Sequence, residues 1–445
     1  MEMEREGMPK SISLNYMART KNLSITSDRI QIAPVKTFVG HENSVDAVSW
    51  LDAQSFVSGG HDQKIHTWNV RNEGPTGTLS EHVNGVYHVA VSPDGRMIAS
   101  CGSGGEKNFL LWEAASGNMV RQLAGHADSV YHASFSPAGN VLISGGRDGF
   151  VRLHDVGASQ PTAAVQLHND AITCTAFCFD PSVPSESTLA CVASRDGALS
   201  ILDVRTERTG YMRVNAAHGG QHVNGVCFVD RFSVLSCGAD FLIKRFDLRM
   251  LQQQQQQQRQ QQQAQAIQTG ASEAKATAPV LAAEPVAAMV YEGHSHPVKS
   301  LSISPDFGKF ASCCSDGSIR VWLVDVTKDL ESKLKGQLAK STHWKEEMGK
   351  LAEEHDSGRD VDLDELKRLK EQIALSTEQE MKMKADLEEA REEGKRGKTL
   401  ASLELTGHKD AVSGCSWASN KDGSSFLLSS SWDQKVMLWK IPAIE

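Results

Sequence analysis

Short runs in which apolar and polar residues alternate recur along most of the chain, as in KIHTW (64–68) and SIRVW (318–322). A period of two turns one face of a strand toward a core and the other away from it. Between the runs stand Asp-Gly, Asp-Gln and Ser-rich segments that suit tight reversals, so many short antiparallel strands are predicted. Two stretches break this rhythm. Residues 250–284 carry a glutamine tract followed by Ala, Thr and Pro, a composition that cannot bury enough apolar surface to offset its ordering entropy, and a disordered loop is expected there. Residues 324–398 are dense in Glu, Lys, Asp and Arg. In them Leu330, Leu334 and Leu338 lie four apart, Trp344, Met348 and Leu351 extend the stripe, and Leu363, Leu366, Leu369 and Ile373 step by three, three and four. One apolar face on each segment predicts a helical hairpin or short coiled coil, with the second stripe as a surface for a partner.

The strand pattern is itself repeated. Seven histidines head the copies: His41, His82, His126, His168, His218, His294 and His408, the first four standing 41, 44 and 42 residues apart. Inside a copy, Ser58, Asp62 and Trp68 recur at the same spacing as Ser312, Asp316 and Trp322 and as Ser429, Asp433 and Trp439. Copy three has His154 in the Trp place and copy five has Phe246. Copy four retains Asp196 but has Val192 and Leu202 where Ser and Trp would stand, and copy two stretches its turn with GSGGEKN. A period near 40 with one supersecondary unit per copy is the mark of a repeat architecture, and copies two and four are expected to be the least regular.

Gly40-His41, the SGGHD run ending at Asp62, SGGRDG ending at Gly149, CCSDGSIRVW ending at Trp322 and SSSWDQKVMLW ending at Trp439 resemble the WD-repeat (beta-transducin-like) family. The resemblance implies an all-β, seven-bladed β-propeller, here with a long charged helical insertion and a polyglutamine loop. It also implies a structural relay, in which His41, Ser58, Asp62 and Trp68, then His294, Ser312, Asp316 and Trp322, and then His408, Ser429, Asp433 and Trp439 satisfy one another's buried polar groups. In that register each copy supplies the outer strand of one blade and the inner strands of the next, so residues 31–38 should close blade seven. The organisation expected is a flexible tail over 1–30, blades one to five over 31–249, blade six over 285–323, the helical insertion over 324–398 and blade seven over 399–445.

A hydrophobic share of 40 % permits a packed core, while 36 glycines and only 6 % aromatics fit short strands and turns. The net charge of −9 argues against a broad basic surface for nucleic acid or anionic lipid. Nine cysteines without a C-x-x-C pair sit among small apolar residues and read as core thiols in a reducing compartment. The first residues lack an apolar core, and PVLAAEPVAAMV is short and cut by Glu284, so no membrane segment is expected and a cytoplasmic or nuclear protein is.

Ser, His and Asp recurring once per copy fit a structural network, whereas a nucleophilic triad would be one constellation. Neither H-E-x-x-H nor C-x-x-C occurs, so no enzyme, metal or cofactor is expected. By family position, the rim at the start of each inner strand and before each Asp turn holds Asp46, His61, Tyr87, Tyr131, Arg147, Arg195, Lys299 and Trp432, with Thr173, Asn224, Ser413 and Ser315 at the remaining places. Tyr, Trp and Arg are types enriched in binding hot spots. The function expected is a non-catalytic scaffold, a monomeric ring within a hetero-complex. At least two protein partners would sit on the rim and on the insertion face of Leu363, Leu366, Leu369 and Ile373. Arg71, Arg205 and Arg249, in WNVR, LDVR and FDLR, resemble the element by which some family members dock onto cullin-RING ubiquitin ligases, which makes a substrate receptor the alternative. An RNA-associated subunit is the further one, with Lys299, Arg147 and Arg195 facing phosphate.

Overall fold

Blade one shows how a copy folds. Val45–Trp50, Ser55–Gly60, Ile65–Asn69 and Gly77–Leu79 pair in sequence order as an antiparallel sheet. The second strand is buried from Phe56 to Gly60, because both its faces meet neighbours, and this explains its small residues. A Cβ on Gly59 would stand 2.7 Å from Val86 Cγ1 of blade two, and one on Gly60 would stand 2.9 Å from His41 Nδ1.

The computed structural model describes residues 31–179, 188–205, 211–254, 257, 260, 287–324, 326–356, 363–395, 398–399, 403–419 and 425–441. The expected tail over 1–30 lies outside them, as does most of the expected disordered loop. At the start of that loop, residues 248–254 are helical.

Among the described residues seven sheets form, five of four strands and two of five. The protein is a seven-bladed β-propeller with a helical insertion. Closure comes from Lys36–Val39, which runs antiparallel to Lys435–Ile441 with Lys36 opposite Leu438 and Phe38 opposite Val436. The expected closing strand over 31–38 is corrected at its start, since Gln31–Ile32 pairs in parallel with Leu403–Leu405 of blade six. Pro34, which has no N–H to donate, separates the two pairings, and Val35 resumes with a bond to the Leu438 carbonyl. The boundary at 399 moves as well. Leu403–Leu405 is the outer strand of blade six, and blade seven's own inner strands begin at Val412.

Aromatic side chains couple neighbouring blades. Phe38, on the outer strand of blade seven, meets Phe56 of blade one edge-on at 4.9 Å, and Phe56 stacks on Trp68 at 5.9 Å. Tyr291 of blade five repeats this against Phe310 and Trp322 of blade six. Trp50 Nε1 donates to the Ser416 carbonyl of blade seven, and Trp417 Nε1 to the Ser302 carbonyl of blade six, each at 3.0 Å. The closure is thus packed and hydrogen-bonded like an ordinary blade junction.

The insertion, Leu323–Thr399, is a separate compact unit made of α1 (Val326–Asp356) and α2 (Leu363–Lys395). The side chains turned inward on α1 are Leu334, Gln337, Ser341, Trp344, Met348 and Leu351, and on α2 Leu369, Ile373, Ser376, Glu380 and Met383. Steps alternating between three and four are those of a coiled-coil seam. The expected stripe through Leu338 is corrected: that residue is exposed, and the seam passes instead through Gln337, which donates to Ser376 at 3.2 Å and Gln379 at 2.8 Å, and through Ser341. Leu369 is buried at the seam and Ile373 half-buried beside it, so this part of the expected partner surface is occupied by α1. Leu363 and Leu366 stand in the first turns of α2, where only the backbone is described.

Two expected outcomes follow from this packing. Phe38→Ala should lower the free energy of unfolding by about 3 kcal/mol, while Val39→Ala, at a position 60 % exposed, should change it by less than about 0.5 kcal/mol; urea titration measures both. Glu380 is buried with Oε1 lacking a partner among the described residues, so Glu380→Leu should slow amide exchange throughout α1 and α2, read by hydrogen-exchange mass spectrometry of the full chain.

Candidate protein-binding rim

Beneath one face of the ring lies a buried polar network. In blade one His41 Nε2 is 2.8 Å from Ser58 Oγ, His41 Nδ1 is 2.8 Å from Asp62 Oδ2, and Trp68 Nε1 donates to Ser58 at 2.7 Å. Blade seven repeats it with His408, Ser429, Asp433 and Trp439 at 2.7, 2.9 and 2.8 Å. In blade six Ser312 meets His294 at 2.6 Å and Trp322 at 2.8 Å, while Asp316 receives Ser318 Oγ at 2.6 Å and Ser295 Oγ at 3.2 Å.

The remaining blades vary the network. Blade two keeps His82, Ser100 and Trp112 with a longer turn in place of the Asp. In blade three His154 turns from the Trp place to the Ala124 carbonyl. The carboxylates of blades three, four and five each gain a cation, from Arg152 at 2.7 Å, Arg213 at 2.7 Å and Lys244 at 3.2 Å. Arg152 and Lys244 stand four residues after their Asp and were visible in the sequence to anyone looking for a counter-charge. Arg213 comes from an outer strand, and no spacing announces it.

Above the network, the rim side chains touch in a continuous arc. Lys299 Nζ sits 5.5 Å over the Trp432 ring, and Trp432 Nε1 donates to Asp46 Oδ1 at 2.9 Å. Asp46 Oδ2 lies 2.9 Å from His61 Nδ1, which Ser44 Oγ also meets at 2.8 Å. His61 packs edge-on against Tyr87 at 5.4 Å, Tyr87 against Tyr131 at 5.4 Å, and Arg195 lies 5.2 Å over Tyr131. Asp46 beside it raises the His61 imidazole above its ordinary value, against the opposing effect of burial. Arg147, also expected on the rim, lies 3.7 Å from Asp128. The arc thus runs through blades six, seven, one, two, three and four.

Three of the expected rim positions spend their side-chain hydrogen bonds within the ring. Thr173, Asn224 and Ser413 are part-buried and donate to the backbone of the following blade, at Val223, Val298 and Val45, over 2.6, 2.8 and 2.6 Å. They knit the ring together.

The WD domain, G-beta repeat family model matches residues 32–69, 73–113, 117–155, 286–322 and 397–440, which spans the network residues of blades one, two, three, six and seven. The chain is a WD-repeat protein. It is similar to the B-type cell cycle switch protein ccs52B of Medicago truncatula, 27 % identical over 23 % of this chain and 22 % of that protein. It is also similar to the ribosome biogenesis protein WDR12 homolog of Drosophila virilis, 30 % identical over 18 % and 19 %. With the small ribosomal subunit protein RACK1y of Oryza sativa subsp. japonica it is 37 % identical over 18 % and 24 %. The matches span 19 to 24 % of the length of these relatives. WD-repeat propellers generally act as protein-interaction platforms without catalysis of their own, and among the described residues no helix is long and apolar enough to cross a membrane.

Of the three arginines in WNVR, LDVR and FDLR of this WD-repeat chain, two have their side chains held in place. Arg205 and Arg249 fork back onto Asp203 and Asp247, two residues earlier, with shortest contacts of 2.8 and 2.7 Å, and Arg249 also lies 4.9 Å over Phe232. The backbone N–H of Arg71 donates to Asn69 Oδ1.

Burial and ion pairing together set the acid response of the ring, burial through the histidines. Burial pushes the His82 imidazole down to about 4, and His88, stacked on His132 at 3.6 Å, down to about 4 as well. Asp148 is pushed down to about 2, since burial opposes ionisation but His126 and Arg152 outweigh it. All three values lie below those of the unfolded chain, so each contribution is complete above the ordinary pKa and is lost as pH falls. The melting temperature should therefore decline from pH 6.5 toward 4 as the unfolded histidines take up protons, and again from 3.8 toward 2. His88→Leu should flatten the first decline in scanning calorimetry.

Proposed function

We propose that the protein is a scaffold with two contact surfaces, one partner gripped by the rim and a second engaged by the helical insertion. The observation that carries this reading is the arc from Lys299 to Arg195. Aromatic faces and cations lie side by side across six blades, and Trp432 is 46 % exposed. Such groups supply large contact area at low entropic cost, and truncating a well-packed one typically weakens binding by about 2 kcal/mol, roughly 30-fold. The acidic overall charge favours a protein partner over nucleic acid. In the insertion, Leu375 and Met381 of α2 are 58 % and 62 % exposed, which supports a contact surface away from the seam.

A second reading, docking onto a cullin-RING ligase adaptor, draws on Arg205 and Arg249, whose side chains are fixed by their aspartates yet remain 69 % and 61 % exposed. Loss of a co-purifying cullin adaptor on joint Arg205→Ala and Arg249→Ala exchange would favour it. For the scaffold itself, quantitative affinity purification should show Tyr131→Ala and Trp432→Ala depleting one set of partners and removal of residues 325–398 depleting another. Retention of the same partners by all three proteins refutes the division of labour.

A further inference from the structure

The contact arc on the rim stops at blade five, and on either side of that blade it ends in a cation. Arg195 of blade four lies over the Tyr131 ring, and Lys299 of blade six over the Trp432 ring. In blade three the arginine before the turn, Arg147, lies 3.7 Å from Asp128. Its counterpart Arg195 leans on the tyrosine instead, and among the described residues neither Arg195 nor Lys299 has a carboxylate partner. The rim carboxylates Asp46 and Asp128 are each paired, with His61 and Arg147. An aromatic ring covers one side of a cation and leaves its N–H donors for another group, so the two ends of the arc keep their charge available.

Blade five itself offers the rim little at the usual places. They hold Asn224, which donates to the Val298 carbonyl at 2.8 Å, and Ala239. One residue past Asp240, however, stands Phe241, 41 % exposed and with a φ of 68°. The same place is Gly149, Gly197 and Gly317 in blades three, four and six, at φ of 74, 81 and 84°. A Cβ on those glycines would stand 2.9, 3.0 and 3.2 Å from the backbone of the loop that leads into the next blade. Phenylalanine in such a turn bears a left-handed backbone that bulky residues rarely adopt, while its ring remains exposed. Strain of this kind, held without burial, marks a residue kept for contact.

We propose that the opening of the arc at blade five takes an acidic peptide segment that also carries an apolar side chain, which rests on the rim being a contact surface. Carboxylates of the peptide meet the guanidinium fork of Arg195 and the ammonium of Lys299, and its apolar side chain lies on Phe241. Two unpaired cations with one blade between them suit the spaced charges of a peptide. A nucleic-acid backbone draws its affinity from a row of cations, and the next ones along the rim, Arg147 and His61, already face carboxylates.

The test immobilises the full chain, selects from a random peptide library displayed on phage, and titrates the selected peptides, made with a fluorophore, by polarisation. Selection should enrich Asp and Glu beside an aliphatic or aromatic residue, and binding should weaken as salt rises. Arg195→Glu and Lys299→Glu should each weaken these peptides about 10-fold. Phe241→Gly should weaken them about 5-fold while the melting temperature holds or rises, because glycine takes that φ without strain, so the loss is one of contact and not of folding. Selected peptides without acidic enrichment, or undiminished affinity in both charge-reversed proteins, overturn the proposal. If Tyr131→Ala and Trp432→Ala still abolish binding of those peptides, the rim remains the contact surface and only the acidic partner falls; if neither does, the rim reading falls with it. A labelled uridine oligonucleotide that binds more tightly than any peptide, and is lost in Arg195→Glu, also overturns the proposal.

Discussion

A serine hydroxyl buried between an imidazole and an indole is the contact on which each regular blade turns. Ser58 accepts the Trp68 N–H, and its own hydrogen is then free for His41 Nε2, so that Nδ1–H faces the Asp62 carboxylate. Donation runs one way, from indole to hydroxyl to imidazole to carboxylate, and each of these four groups has a partner. The chain ties the third strand to the second, and both to the loop that arrives from the previous blade. An unpartnered member would forfeit its hydration for nothing.

Blades that lack a member of the chain hold their geometry by other means. In blade four the Ser and Trp places hold apolar side chains, His168 Nε2 is buried without a partner among the described residues, and Arg213 grips Asp196 from the outer strand. In blade five Phe246 fills the Trp volume without its N–H, and Lys244 pairs with Asp240. Lost hydrogen bonds at the centre are thus accompanied by added charge pairing at the half-exposed edge, where an ion pair keeps part of its hydration. The ring tolerates unequal blades because each blade also packs against two neighbours. Aromatic contacts such as Phe38 on Phe56, and donors such as Thr173 and Ser413, cross every junction they occupy without regard to the network.

The helical insertion obeys a different economy of forces. Its seam alternates apolar residues with Gln337, Ser341, Ser376 and Glu380, so burial contributes less per turn than in a leucine-rich coil, and the amide of Gln337 helps set the register against Ser376 and Gln379.

By itself the sequence determined the repeat: the spacing of His, Ser, Asp and Trp shows seven copies, because a buried hydrogen-bond chain needs those groups at those intervals, and alternation within each run shows strands. The helical character of 324–398 was equally plain from its charge and its stripe. Which residues face the seam was not, since Leu338 and Gln337 differ by one helical step and only the packing of α2 decides between them. Nor could spacing show that Gln31–Ile32 leaves blade seven for blade six, that Thr173 and Asn224 turn inward, or that Arg213 reaches Asp196. These depend on distances between residues far apart in the chain. The same holds for the rim. Lys299, Trp432, Asp46, His61, Tyr87, Tyr131 and Arg195 are separate positions in the sequence, and only closing the ring, which brings residue 432 beside residue 46, makes them one surface.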